Sequence, residues 1–345
     1  MKGLKMKMFS WKDKRVLVTG ADGFMGSHLT EALLNKGAIV SVYVRGNSTI
    51  GTTQYALRNI SHIKDKIKHI LTGDIGARDS ISLIKKNEPE TIFHLAADAY
   101  VPNSFEHPLE VKETNLDGTL NVLHAVMDSK VEQVVCTSSS EIYGTHDGPI
   151  NEETPLYPSS PYAASKAAAD RYCFAYWNTY HLPIAIIRPF NTYGPRHTYD
   201  VIPKFIDLAL RNRPLTVHGT GEQTRDFTYV DDMIRAFLIM GADKGAIGKT
   251  INFGTGVDVK IIDIAKKIVK ISGTKSKIVH LEERTSEVNK LLCDFSKARE
   301  LFGWKPQVSI DEGLRRNIEY EKARRKAIEK HSTKNLDVIV STEQS

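Results

Sequence analysis

Tyr162 and Lys166 stand four residues apart in the run Tyr162-Ala163-Ala164-Ser165-Lys166. On a helix that spacing puts both side chains on one face. An ammonium beside a phenol favours the phenolate, so the tyrosine pKa is expected to fall from about 10 toward neutrality. A phenol tuned in this way can take a proton from a hydroxyl group. Upstream lies Thr137-Ser138-Ser139-Ser140-Glu141-Ile142-Tyr143-Gly144. Ser139 can hydrogen-bond the same oxygen, and Glu141 adds a carboxylate that a simple alcohol oxidation does not need. Taken alone, the pair reads equally well as two neighbours on an ordinary helix surface.

The N-terminal half supplies a frame for these residues. Arg15 to Thr19 is a β-branched run typical of a buried parallel strand. Gly20-Ala21-Asp22-Gly23-Phe24-Met25-Gly26 follows at once, a helix is expected over Ser27 to Lys36, and Ala38 to Val44 reads as a second strand. Glycines at 20, 23 and 26 in a strand–turn–helix setting form a dinucleotide-binding signal. The first permits the tight turn, the next lets backbone approach a pyrophosphate, and the last allows close packing, with the helix N-terminus facing the phosphates. The second strand ends in Arg45 and lacks the acidic residue that would hold ribose hydroxyls. Arg45 can pair with a 2′-phosphate instead, which tilts the expectation from NAD slightly toward NADP. Asp74, before Ile75, follows another expected strand and either accepts from an adenine amino group or caps the next helix. The strand Thr91 to Leu95 ends in Ala96-Ala97, small residues that let a cofactor lie close, and His94 reads as a packed strand residue. A helix over Asn115 to Ser129 and a strand over Gln133 to Thr137 complete an alternation that implies a doubly wound parallel sheet. Ser139 and Glu141 then lie just past a strand's carboxyl end, where such sheets bind ligands.

Composition sets the outer bounds. The 345 residues are 41% hydrophobic and 26% charged, values of a globular chain long enough for one large or two modest domains. Cys136, Cys173 and Cys293 form neither a metal-ligand spacing nor a disulfide framework. No metal is expected, and a reducing, cytoplasmic setting suits them. Met1 to Lys14 carries no apolar run of signal-peptide length, and no stretch approaches a membrane span. The net charge of +6 is dispersed except near Arg315 to Lys330, read here as a solvated helix face and not a nucleic-acid surface.

In order along the chain, these segments resemble the extended short-chain dehydrogenase/reductase family, in its nucleotide-sugar epimerase and dehydratase branch. The resemblance runs from about Lys14 to Pro306. Its anchors are the three glycines, Asp74-Ile75, His94-Leu95-Ala96-Ala97, Asn115 with Gly118-Thr119, Ser138 to Gly144, Tyr162 with Lys166, and Arg188-Pro189-Phe190-Asn191-Thr192-Tyr193-Gly194-Pro195. It implies a Rossmann-type domain over 1–190 with later segments interleaved, a smaller mixed α/β substrate domain over 191–310, and a basic helix to about Lys330. The polar segment Ser332 to Ser345 is expected to be poorly ordered. It implies cofactor contacts from Gly20, Gly23, Phe24, Met25, Arg45, Asp74, Ile75, Leu95, Ala96, Ala97, Tyr162 and Lys166. It also implies a nucleotide diphosphate gripped by Asn191, Arg225 and Arg284, and a homodimer through the helices after Asn115 and Tyr162.

Glu141 discriminates within the branch. In the 4-epimerases a small or apolar residue usually stands there, whereas the 4,6-dehydratases carry a glutamate. Ser140 and the Arg45-x-x-Ser48 segment are similar to GDP-mannose 4,6-dehydratases, while Ser139 stands where threonine is usual. The resemblance then assigns Tyr162 to deprotonate the 4-hydroxyl, with Ser139 sharing that bond and Lys166 holding the nicotinamide ribose. Glu141 removes the C5 proton and helps expel the 6-hydroxyl as water. A 4-epimerase, a UDP-glucuronate decarboxylase and a silent nucleotide-binding scaffold stay open as alternatives.

Overall fold

The computed structural model describes residues 9–45, 57–283 and 288–342, with side chains to residue 329. Arg284 and Ser48 lie outside the described residues. The strands are β1 (Arg15–Thr19), β2 (Ile39–Val44), β3 (Ile70–Thr72), β4 (Thr91–His94), β5 (Gln133–Thr137), β6 (Ile184–Pro189), β7 (Thr192–Tyr193), β8 (Leu215–His218), β9 (Thr224–Asp226), β10 (Thr228–Tyr229), β11 (Thr250–Phe253), β12 (Asp258–Lys260), β13 (Ile278–Leu281) and β14 (Lys290–Leu291). The longer helices are α1 (Phe24–Asn35), α2 (Asp79–Asn87), α3 (Gly118–Val126), α4 (Pro161–Tyr180), α5 (Val201–Leu210), α6 (Val230–Ala242), α7 (Ile261–Ser272), α8 (Ser296–Phe302) and α9 (Ile310–Thr342).

Seven strands form one sheet in the order β11-β6-β5-β4-β1-β2-β3, and every pairing within it is parallel. Side chains alternate between the faces of a strand, and the strand sequences are apolar on both. Val16, Val18, Phe93 and Val135 pack with Leu29 and Leu33 of α1 and with α6. Leu17, Ile92, Val134 and Ile186 pack with Val122 and Leu123 of α3. The expected doubly wound sheet is therefore present, and its strand order reverses between β1 and β4. Three small sheets, β10-β7, β12-β9-β14 and β13-β8, belong to the later chain.

Several element bounds differ from the sequence reading for local reasons. Gly23 is extended and serves as the N-cap, so α1 opens at Phe24 rather than Ser27. Ser160 accepts from the Ala163 amide and Pro161 takes the first helical position, which starts α4 earlier than expected. The helix expected from Asn115 begins instead with a π turn over Glu113–Asp117 and becomes α-helical at Gly118. The helix α9 continues to Thr342, past the end expected near Lys330. No glycine or proline stands between Leu314 and Thr342 to stop it.

Asp232 in Tyr229-Val230-Asp231-Asp232 ties the later chain to this core. Its carboxylate accepts from the Gln307 amide at 2.8 Å, the Val308 amide at 2.9 Å and Arg235 at 2.6 Å. It is 1% exposed. Asp232→Ala leaves two buried amides unmet, and a loss of roughly 2–4 kcal/mol is expected, read as a lower denaturant midpoint in equilibrium unfolding.

Candidate active site

The face of α4 turned to the sheet carries Tyr162, Lys166 and Asp170 at successive four-residue steps, all buried. Behind them, the Asp170 carboxylate accepts from Arg188 Nε at 2.8 Å and Nη2 at 2.9 Å, and Arg171 also donates to it. Arg188 Nη1 donates to the Tyr143 hydroxyl at 2.6 Å, which donates to Asn252 Oδ1 at 2.8 Å. Burial pushes the Asp170 carboxyl up, but the hydrogen bonds and charge of Arg188 outweigh that and leave it below its ordinary range. One network thus joins α4, β6, β11 and the turn bearing Ser139 and Glu141.

Ser139 is the extended cap of a short 3₁₀ turn over Ser140–Tyr143, and its hydroxyl accepts from the Glu141 amide at 3.2 Å. The same hydroxyl lies near enough to the Tyr162 phenol to favour its ionised form. The expected fall in the tyrosine pKa is not found. Burial pushes the phenol well above its ordinary value, the Ser139 hydrogen bond opposes this, and the negative charges of Glu141, Asp200 and Asp98 add to it. The four-residue spacing does put Tyr162 and Lys166 on one face. The lysine stem, however, carries its ammonium to the Thr137 carbonyl, at 2.5 Å, and burial lowers the ammonium's own pKa.

The loop after β4 is locked to this helix by Asn115 in the π turn. Its amide accepts from the Asp98 amide at 2.8 Å and donates to the Asp98 carbonyl at 3.1 Å and to Ser165 Oγ at 3.0 Å. A π turn opens such a site because it displaces one residue from the regular ladder.

The dinucleotide candidates gather where the strand order reverses. Gly20 has φ +68, and a Cβ there would stand 2.8 Å from the Ala96 nitrogen. A Cβ on Gly26 would stand 2.1 Å from the Gly20 carbonyl. Backbone thus closes on backbone around the N-terminus of α1, whose first amides have no side-chain cap. Such an end suits a phosphate. Asp22 within the turn has its carboxyl pushed up to about 6 by burial. Phe24 stacks on His197 with ring centroids 4.5 Å apart, and Met25 packs against the core. Ile75 is buried, while Leu95, Ala96 and Ala97 are partly exposed at the end of β4. Arg45 pairs with Asp74 at 3.1 Å, both largely solvent-facing, and Asp74 also accepts from the Gly76 amide at 2.9 Å. These residues fit a dinucleotide along the carboxyl ends of β1, β2 and β4.

A cavity of about 760 Å³ adjoins this cleft. Glu141, Asn191 and Arg225 line it, so the structure brings together three residues far apart in sequence. Asp226, next to Arg225 in sequence, turns the other way. It is buried and accepts from Thr255 and from the Gly256 and Cys293 amides. The sequence reading missed Tyr100, Tyr199, Asp200 and His197, which also line the cavity. It also missed Asp170, although extending the Tyr162–Lys166 spacing by one more turn reaches it. Thr19 was missed as well; its hydroxyl meets His94 Nδ1 at 2.8 Å and receives the Leu95 and Ala96 amides.

The profile of the GDP-mannose 4,6 dehydratase family matches residues 17–317. The dTDP-D-glucose 4,6-dehydratase of Bos taurus is 33% identical over 321 residues, covering 89% of this chain and 88% of its own. UDP-glucose 4-epimerase of Mycolicibacterium smegmatis is 34% identical over 312 residues, covering 89% of this chain and 98% of its own. Among solved structures, DesIV, a dTDP-glucose 4,6-dehydratase of Streptomyces venezuelae with NAD bound, matches with a TM-score of 0.81 at 30% identity. That match covers 90% of this chain and 98% of DesIV.

His94 sits between Thr19 and Thr119 Oγ1, 3.0 Å from its Nε2, and burial lowers its pKa to about 3. The folded chain thus holds it neutral where the unfolded chain, near 6.5, takes up a proton. Stability from this group is present above about pH 6.5 and is lost as pH falls toward 3, by at most about 1.4 kcal/mol per unit. Denaturant melts at pH 7, 6 and 5 should show that decline, with a shallower slope in His94→Gln.

Proposed function

The chain belongs to the GDP-mannose 4,6-dehydratase family, within the extended short-chain dehydrogenases and reductases, and from that premise we propose that it is an NAD(P)-dependent nucleotide-sugar 4,6-dehydratase. The observation that carries this reading is a carboxylate, Glu141, on the cavity wall two residues from the serine that stands beside Tyr162. A dinucleotide held at Gly20, Gly23 and the N-terminus of α1 would supply a reversible hydride acceptor for the sugar. Tyr162 takes the proton of the 4-hydroxyl, and Ser139 stabilises the phenolate by donating to it. Lys166 keeps a positive charge near this point, held by the Thr137 carbonyl. Glu141 removes the C5 proton, made acidic by the neighbouring ketone, and delivers a proton to the departing 6-hydroxyl. Asn191 and Arg225 hold the diphosphate; a guanidinium presents several donors to two phosphates. Arg284 belongs with them in this reading, as the residue that follows Glu282-Glu283.

Cofactor choice turns on Arg45. Its exposed guanidinium can meet a 2′-phosphate, and Asp74 competes for it at 3.1 Å. An exposed pair of this kind contributes little, so Arg45 is free to exchange partners. NADP is therefore accepted beside NAD, and Arg45→Ala should weaken NADP by several-fold while sparing NAD in competitive titrations. A homodimer and a cytoplasmic setting complete the reading. Tyr172, Phe174 and Tyr180 on α4 are exposed, as a helix-bundle interface requires, and the described cysteines are unpaired thiols.

Mass spectrometry of the purified chain with dTDP-, UDP-, GDP- and CDP-hexoses tests the reaction. A product lighter by one water is expected, absent in Glu141→Gln, with turnover reduced ~10²–10⁴-fold in Tyr162→Phe. An isomeric sugar with no mass change would instead make the chain a 4-epimerase, the reaction named for its Mycolicibacterium relative.

A further inference from the structure

Residues 195–200 join the two halves of the cleft, and the backbone is strained where they do so. Arg196 has φ +71 and Asp200 φ +72, though neither is glycine. Asp200 combines that φ with ψ 177, a region that essentially only glycine occupies. It stands at the N-cap of α5, where an aspartate normally accepts from the first amides of the helix, yet its side chain makes no capping bond. Its carboxylate turns back instead, and Oδ2 lies 3.2 Å from Nε2 of His197. Strain of this kind persists only where surrounding contacts enforce it. Those contacts come from α1. His28 Nε2 donates to the Pro195 carbonyl at 2.9 Å, and Arg196 donates to Ser27 Oγ at 3.2 Å and to Glu31 at 2.8 Å. The buried His197 imidazole lies flat on the Phe24 ring, with the planes 4° apart, and Tyr199 meets it edge-on at 4.6 Å. Phe24 is the first residue of α1, at the end that suits a phosphate. On the other side His197, Tyr199 and Asp200 line the cavity, together with Ile202, Phe205 and Ile206 of α5.

We infer that His197 is a positioning residue that couples the two ligand sites: it fixes the start of α5, and with it one wall of the cavity, to the start of α1, so that dinucleotide and nucleotide sugar each bind more tightly in the presence of the other. This deepens the proposed function and rests on it, since it takes both ligands from that reading. A dinucleotide held by the turn at Gly20 and Gly23 restrains Phe24, the next residue along. A nucleotide sugar in the cavity restrains Asp200 and the wall formed by α5. Both ligands therefore favour the same strained arrangement of residues 195–200, and the first to bind leaves less of the ordering cost for the second. By linkage the gain in affinity is the same in either order. The link is made by packing as well as charge, because Arg196 is already engaged by Glu31 and Asp200 by His197. A residue that served only to hold the fold would weaken each ligand by itself. A coupling residue changes only the dependence of one ligand on the other.

The test is equilibrium titration of the purified full chain with NADH, followed by its fluorescence, alone and with a saturating nucleotide sugar. The sugar is UDP-glucose, dTDP-glucose, GDP-mannose or CDP-glucose, whichever binds most tightly. NADH already carries its hydride, so the sugar stays unoxidised during the measurement. In the wild type the sugar should tighten NADH by about fivefold or more, and NADH should tighten the sugar by the same factor. In His197→Ala that factor should fall to about one, while each ligand alone keeps roughly its wild-type affinity. Should His197→Ala fail to fold, Asp200→Gly carries the same expectation: glycine adopts that backbone freely, so the carboxylate alone is lost. The inference is overturned if the two ligands bind the wild type independently, or if the variant keeps the wild-type factor. It is also overturned if the variant loses affinity for each ligand alone, the mark of a merely structural residue. Coupled ligands in a chain that dehydrates no sugar keep this inference and lose the reaction. A dehydratase whose ligands bind independently keeps the reaction and loses the inference, and failure to bind either ligand overturns both.

Discussion

The buried ion pair between Asp170 and Arg188 is the constraint on which the site depends. Both side chains are essentially out of solvent, and removing two charges from water is costly enough that such a pair rarely adds much stability by itself. What it provides is position. Asp170 lies on the helix of Tyr162 and Lys166, and Arg188 lies on β6 and reaches Tyr143 at the end of the turn that carries Ser139 and Glu141. A helix sliding by one residue along the sheet would strip a guanidinium of its carboxylate in a dry interior. The pair therefore holds the serine and the tyrosine in one register. The remaining parts of the cleft are attached to the same helix through Asn115 and Ser165.

The electrostatics of the site follow from its depth. Burial raises the Tyr162 phenol and lowers the Lys166 ammonium, in each case a shift in the direction of the neutral form. Nearby Asp170 works against this for the lysine, and Ser139 works against it for the tyrosine. Reactivity here is a balance between desolvation and a few directed hydrogen bonds. The helix spacing alone does not determine the outcome.

Much of this arrangement was legible in the sequence. Alternating apolar strands and helices identified the parallel sheet because a strand covered on both faces must be apolar throughout. The glycines at 20 and 26 declared a turn that tolerates no side chain, and Glu141, Asn191 and Arg225 meet at one cavity as their motifs implied. Two things were not legible. The direction of the Tyr162 shift depends on where a flexible lysine stem ends, which spacing does not specify. Asp226 is next to Arg225 in sequence, but strands turn adjacent side chains to opposite sides, and its carboxylate is taken up by Thr255, Gly256 and Cys293.

The return of β11 to the edge of the large sheet has a consequence for how the chain comes into being. β6 finds its outer neighbour only after residues 190–249, with their own small sheets and helices, have been made. The Ile186 amide waits for the Lys249 carbonyl, and the Gln133 side chain waits for the carbonyls of Met240 and Asp243. On a ribosome the nucleotide fold would therefore emerge with an open edge, a surface that invites strand addition from other chains. It closes only when the segment bearing the cavity has already been threaded past it. The two halves of the cleft are in this sense born together, and neither is a natural fragment to excise.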